Sequence, residues 1–401
     1  MVSTVAEAGR RAPAGWPRRL FPTMRSLIPI VVLAAAVAGG CRPSSELPPS
    51  HSAADSIEAT PAAASTQLPA TPVSSAPAPL PANEEGRIPV LEYHLIGGTD
   101  GTWTRSAARF RGDLELLHAR GYRPVSVSQL VSGELHLAAG LSPVVFTFDD
   151  ASPSQFRWIE RDGNRVVDDT SAIGIWRAFQ KEHADWESRA TFCLLPGAMV
   201  GRSFFGDKGI EGQKTEWRFE KLRELVAEGF ELCDHTLWHA TLSRYPSAVV
   251  QEQIARGVMA IDSAVPGYRV RTFALPLGIW PKDRSLARRG AWTDPKSGRT
   301  VRYDFDAILL VAGGPARSPH DPAFDPLKIT RTIVTGNAVE DVLDALDKQG
   351  NRYVSDGDPK RVARPTVVAD AATATAPKAT RAGSARSARS ARKTGTAATG
   401  R

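Results

Sequence analysis

Along the middle of the chain, apolar residues keep two alternating rhythms. Short runs, Ile88–Tyr93 (IPVLEY), Val144–Phe148 (VVFTF), Ala190–Leu195 (ATFCLL), Phe230–Cys233 (FELC), Val270–Leu275 (VRTFAL), Phe305–Val311 (FDAILLV) and Lys328–Val334 (KITRTIV), read as buried strands. Between them, Arg109–Arg120, Trp217–Glu228, Ser247–Ala264 and Ala338–Lys348 carry apolar residues three and four apart, the spacing of amphipathic helices. Such alternation predicts an α/β fold, a mostly parallel sheet with helices packed outside it. About seven strands at this length point to a barrel, with the chemistry at the carboxyl ends of the strands. The polar residues obey that rule. Tyr93-His94, Asp149-Asp150 and Asp234-His235 each stand at the end of a predicted strand, and they become neighbours only if the sheet closes.

Charge changes the picture at the two ends. The chain of 401 residues has a net charge of +7, yet residues 1–26 contribute +4 and residues 361–401 contribute +8, leaving the body at −5. A mildly acidic body argues against nucleic acid as a partner. Arg25 followed by the 14-residue apolar run Leu27–Gly40 reads as a signal peptide over residues 1–40, too short to span a bilayer comfortably, with Met24 an alternative start. The run closes on Ala38-Gly39-Gly40-Cys41, which resembles a bacterial lipobox lacking its usual leucine; ordinary secretion with a chance cysteine is the plainer alternative. Lipidation of Cys41 would anchor an exported lipoprotein to the outer face of a bacterial membrane. Residues 41–86, rich in Ala, Pro and Ser, are expected to form a disordered tether, with the folded body over 87–358. The basic tail, 359–401, is a solvated disordered segment or a weak contact to an anionic envelope polymer.

Candidate chemistry centres on two clusters. His235-Thr236-Leu237-Trp238-His239 spaces two imidazoles for one face of a helical turn, and two histidines with a carboxylate suit a divalent ion with a position left open for water. Alone, such a pair is as readily a capped helix start. The adjacent Asp149-Asp150 tips the balance, because paired carboxylates at a buried strand end repel unless a cation or proton intervenes. TFDD (Thr147–Asp150), HTLWH (His235–His239) and FALPLG (Phe273–Gly278), in that order, resemble the motifs of the polysaccharide deacetylases, carbohydrate esterase family four. The resemblance covers about Ile88 to Val334. It implies an irregular (β/α) barrel, Asp149 as catalytic base, and Asp150, His235 and His239 as ligands of a divalent metal, Zn²⁺ with Co²⁺ or another divalent ion as alternatives. The activity implied is hydrolysis of N-acetyl groups on an acetylated polysaccharide; an O-acetyl esterase and a non-catalytic glycan-binding lipoprotein are the alternatives.

Two departures from the family pattern stand out. Many members carry an arginine in the third motif that steadies the base, where this chain has Ala274. It is therefore more similar to the branch reading FAYPYG, found among exported deacetylases of N-acetylglucosamine polymers. Arg271 is the nearest substitute, although strand alternation aims its side chain differently. No Leu-x-x-His motif follows, and His320 is the last histidine; by resemblance to the same branch, His94 becomes the general acid, or else a residue that braces the base. Asp234 either holds a ligand histidine in its tautomer or caps the next turn. Cys193 and Cys233 are expected as buried thiols, with a disulfide the lesser reading. Pro276 and Trp280, in and after the third motif, are expected to contact substrate. The long segment Ala151–Asp185 is expected to overhang the cleft.

Overall fold

The computed structural model describes residues 80–197 and 204–364. Cys41, the apolar run before it, most of the tether and the tail from residue 365 lie outside the described residues. All seven expected strands are present in one sheet: β1 (Val90–Tyr93), β3 (Ser142–Phe148), β4 (Thr191–Leu194), β5 (Glu231–Asp234), β6 (Thr272–Ala274), β7 (Ala307–Leu309) and β8 (Thr332–Ile333). An eighth, β2 (Tyr122–Val125), pairs with the first half of β3. Every pairing is parallel, in the order β7-β6-β5-β4-β3-β1-β8. The sheet curls until its two edges meet through a single parallel bridge, Leu309 to Ile329.

Six α-helices among the described residues accompany it: α1 (Ala107–Ala119), α2 (Val127–Ser132), α3 (Ala172–Glu182), α4 (Trp217–Glu228), α5 (Ser247–Ala264) and α6 (Ala338–Gln349). Strand residues alternate between two apolar layers, as a period of two requires. Leu91, Tyr93, Phe146, Phe148, Phe192, Leu232 and Phe273 pack outward with the helices. Val90, Val145, Cys193, Cys233, Ala274, Leu309 and Ile329 fill the barrel interior. No helix among the described residues is long and apolar enough to cross a membrane.

Three expectations need correction. Cys193 and Cys233 are joined as a disulfide, because they stand opposite each other in register on β4 and β5, facing inward with Cα atoms 4.2 Å apart. The folded body begins earlier and ends later than 87–358: Asn83 exchanges backbone hydrogen bonds with Val354, and Glu84 N–H donates to the carbonyl of Ala363. The segment from Ala151 to Asp185 does not overhang the cleft. It forms an antiparallel hairpin, Trp158–Arg161 with Asn164–Val167, turned by Asp162-Gly163 at φ 52° and 75°, and then α3. Trp176 and Phe179 of α3 are fully buried in the outer layer.

Candidate metal centre

The interior face of the barrel carries the candidate site at its carboxyl end. Along β1 the inward positions are Val90, Glu92 and His94; along β3 they are Val145, Thr147 and Asp149. Asp149 keeps its place in the ladder, its N–H donating to the Tyr93 carbonyl at 2.9 Å. The next residue should then point outward. It does not, because Asp150 and Ala151 adopt left-handed backbone conformations, φ 77° and 51°. Strain of this kind in residues with side chains persists where the surroundings enforce it. The outcome is two consecutive carboxylates near one imidazole: His235 Nε2 lies 3.8 Å from Asp149 Oδ2 and 3.7 Å from Asp150 Oδ1.

The segment after β5 is not the helical turn its spacing predicts. Thr236 and His239 both have positive φ, 68° and 62°, so a tight irregular turn brings the two rings within 4.9 Å. Asp234 caps it, Oδ1 accepting from Thr236 N–H at 3.1 Å. Burial raises the Asp234 carboxyl well above its usual range. Helix α5 makes room for that carboxyl with Gly257, where a Cβ would stand 1.9 Å from Oδ1. His235 is oriented instead by the third motif, through its backbone: the Ala274 carbonyl lies 2.8 Å from Nδ1. A carbonyl only accepts, so Nδ1 carries a proton, and in the neutral ring Nε2 presents a lone pair.

That lone pair is the test of whether a metal fits. Nε2 of His235 is buried, makes no hydrogen bond among the described residues, and faces two carboxylates. His239 Nε2 approaches Asp150 Oδ1 to 3.9 Å. Burial lowers His239 to about 4, leaving it neutral at physiological pH. Lone pairs facing carboxylate oxygens repel, and a divalent cation is the natural mediator. Asp150, His235 and His239 offer donor atoms all within 4.8 Å of one another, a nitrogen and oxygen set suited to Zn²⁺.

Asp149 belongs to a second network. Arg331, fully buried beside the barrel seam, grips it bidentately, with both guanidinium-to-oxygen distances at 2.9 Å. Burial alone would raise Asp149; the Arg331 charge and its two hydrogen bonds outweigh it and hold the carboxyl well below the usual range. Arg331 also donates to Thr147 Oγ1 and, through Nε, to the Leu310 carbonyl. Arg271 does not serve here, since it pairs with Asp306 on the outer surface. Glu92 Oε2 lies 3.1 Å from Arg331 Nε, whose hydrogen points to Leu310 instead. Burial drives the Glu92 carboxyl up to about 8, with Arg331 only partly opposing it. Its other oxygen is 3.7 Å from His94 Nε2, and burial lowers the His94 imidazole.

These groups line a cavity of about 630 Å³. Its far wall is apolar: Leu95, Trp103, Leu277 and Val311. Trp103 is half exposed, and His94 meets its ring edge to face at 4.7 Å. Pro276 and Trp280 are not among the lining residues. Pro276 is buried, and Trp280 packs against the outer core with Arg284 above its ring. His94, Asp149, Asp150, His235 and His239, singled out from the sequence, thus line one cavity, joined by Glu92 and Trp103 and, behind Asp149, by Arg331, none of which the sequence reading named.

A family model described as polysaccharide deacetylase matches residues 140–290. Two curated relatives are chitooligosaccharide deacetylases. The protein of Bradyrhizobium sp. (strain ANU 289) is 41% identical over 64 residues, 16% of this chain and 29% of that one. The protein of Sinorhizobium fredii (strain NBRC 101917 / NGR234) is 36% identical over 90 residues, 22% and 40% of the respective chains. This chain therefore spans less than half the length of these curated relatives. Among solved structures, a Streptococcus pyogenes deacetylase in complex with acetate superposes with a TM-score of 0.46 at 16% identity, over 65% of this chain and 98% of that one. A polysaccharide deacetylase from Bacillus cereus gives 0.45 at 18%, over 65% and 69%. The matched span, 140–290, holds Asp149, Asp150, His235 and His239; His94, Trp103 and Arg331 lie outside it.

Proposed function

From a chain that carries a polysaccharide deacetylase domain over residues 140–290, we propose a metal-dependent hydrolase that removes N-acetyl groups from an N-acetylglucosamine polymer of the cell envelope or its surroundings. The observation that carries this is the buried Nε2 of His235, without a hydrogen bond among the described residues and aimed at Asp149 and Asp150. Asp150, His235 and His239 would hold the cation, Zn²⁺ or a similar ion. When bound, it supplies Lewis acidity, polarising an amide oxygen and lowering the pKa of water. Asp149, kept ionised by Arg331, accepts the proton of the attacking water at its carboxylate. His94, which lines the cavity, would deliver a proton to the departing amine from its imidazolium form, taken up from solvent against the burial that disfavours it. Trp103 offers a flat apolar face to a pyranose ring, and Leu277 and Val311 exclude water around an acetyl methyl.

The similarity to chitooligosaccharide deacetylases supports the N-acetylglucosamine substrate class. Export as a lipoprotein anchored through Cys41 is supported by the apolar run and the Ala38-Gly39-Gly40-Cys41 sequence, and by a buried disulfide of the kind that oxidising compartments sustain. The basic tail is proposed to rest on an anionic envelope polymer.

Acetate release from chitooligosaccharides and from acetylxylan tests the reaction. Chelator-stripped protein should lose release from the former by at least about 100-fold and regain it with Zn²⁺ or Co²⁺. His94→Ala should lose turnover by about 100-fold or more while metal content stays. Full activity after stripping rejects the reading, and a preference for acetylxylan reassigns it to ester hydrolysis. The anchor has its own test: Cys41→Ser should move the protein from the membrane fraction to the soluble one.

A further inference from the structure

At the opposite end of the barrel, where strands begin, a second group of metal-type donors meets. His118 lies in the last turn of α1 and His183 caps the C-terminus of α3; Asp185 follows two residues later, ahead of β4. His118 Nε2 and Asp185 Oδ1 are 2.9 Å apart. The two imidazoles pack ring to ring, centroids 4.2 Å apart. One donor atom from each of the three residues lies within 4.8 Å of the others.

An ordinary ion pair accounts for only part of this. It uses one imidazole and leaves His183, whose ring nitrogens make no hydrogen bond among the described residues, pressed against a second imidazole that would repel it when both are charged. Three further features favour a cation there. The ends of α1 and α3 converge, and helix C-termini carry partial negative charge. Arg123 donates to the other oxygen of Asp185 from Nε at 2.8 Å, which fixes the carboxylate and leaves Oδ1 turned to the histidines. The donors are two nitrogens and one oxygen, a set that suits Zn²⁺, Co²⁺ or Ni²⁺ and is poor for Mg²⁺ or Ca²⁺.

We propose that His118, His183 and Asp185 form a second transition-metal site that ties the ends of α1 and α3 to the segment leading into β4. The site shares no residue with the cavity at the strand exits, so it acts on stability and not on the reaction. Neither reading depends on the other.

The test is metal stoichiometry on the full chain, stripped with chelator and titrated with Co²⁺ followed by its visible absorption and with Zn²⁺ by calorimetry. Wild type should take two equivalents. His183→Phe, which keeps an aromatic ring against Phe179 but has no donor nitrogen, should take one and release acetate at the wild-type rate. His118→Gln should behave likewise. His235→Ala should also take one, with acetate release lost. A single equivalent in wild type that survives His183→Phe overturns the second site while the catalytic one stands; two equivalents retained in both His183→Phe and His118→Gln overturn it as well. A single equivalent abolished by His183→Phe keeps the second site and sinks the catalytic reading.

Discussion

Arg331 decides whether Asp149 can act as a base. Its guanidinium reaches Asp149 across 182 positions of sequence and offsets a burial cost that would otherwise favour the neutral acid. Arg331→Met removes that charge and leaves Asp149 without its partner. Breaking a buried pair from one side costs roughly 3–5 kcal/mol, and a base that holds its proton forfeits about 100-fold or more in turnover. Urea melts and acetate-release kinetics should report both losses, with uptake at Asp150, His235 and His239 largely kept; wild-type kcat would remove Arg331 from this role. The sequence held a clue. In KITRTIV, Arg331 shares a strand face with Ile329, which fills the interior, so a lone cation stands where apolar residues belong. Glu92 repeats that clue beside Val90. The third motif drew attention to position 274, yet its contribution is a carbonyl, which no side-chain pattern reveals.

Among the elements, the turn after β5 is one whose shape the sequence misreported. An HxxxH spacing fits a helix, but Thr236 and His239 have positive φ, in a turn whose first residue, Asp234, packs against α5 at Gly257, a long-range contact no local spacing reveals. Gly257→Ala is informative because helix propensity alone favours alanine by about 1 kcal/mol, whereas overpacking here opposes it by about 1–3 kcal/mol. We expect a net loss of stability and weaker metal uptake in chemical denaturation and titration. Adding Asp234→Ala to the same chain should recover part of the packing loss, a coupling that a double-mutant cycle measures. A stabilised Gly257→Ala would contradict the placement. Elsewhere the elements were well marked. The seven strands and four helices read from periodicity are all present, while β2 carries Arg123 and Pro124 and α2 is only six residues long, too short for a period to register. The hairpin after β3 was legible through Asp162-Gly163, and α3 through its caps, but a long segment following two carboxylates invited the assumption of a cleft loop.

On the scale of the whole barrel, two constraints hold the carboxyl end together. Arg331 links β8 to β3 and to the exit of β7 across the seam, and a cation on Asp150, His235 and His239 would link β3 to β5 across β4. Metal loading should therefore be visible as global stability. A ligand at about 100 times its Kd adds about 2.7 kcal/mol, and for a domain of this size that is roughly 5 °C in Tm. Measured in a His183→Phe background, to silence the second site, stripped protein should melt lower by about that amount, with unchanged far-ultraviolet dichroism. The pH dependence separates the contributors. Glu92 has a folded pKa of about 8 against an ordinary value of 4.5, so its contribution is fully present below about 4.5 and is lost as pH rises toward 8. Asp149 has the opposite sign: its carboxyl is depressed, and its contribution is lost as pH falls below the ordinary range. Stripped protein should then be most stable in mild acid and soften toward pH 8, a slope that Glu92→Gln flattens. The loaded protein should keep its advantage throughout, because His239, at about 4, is already neutral over that interval. Superimposable loaded and stripped curves would mean that these three side chains hold no metal, and a Glu92→Gln curve with the wild-type slope would place the softening elsewhere in the barrel.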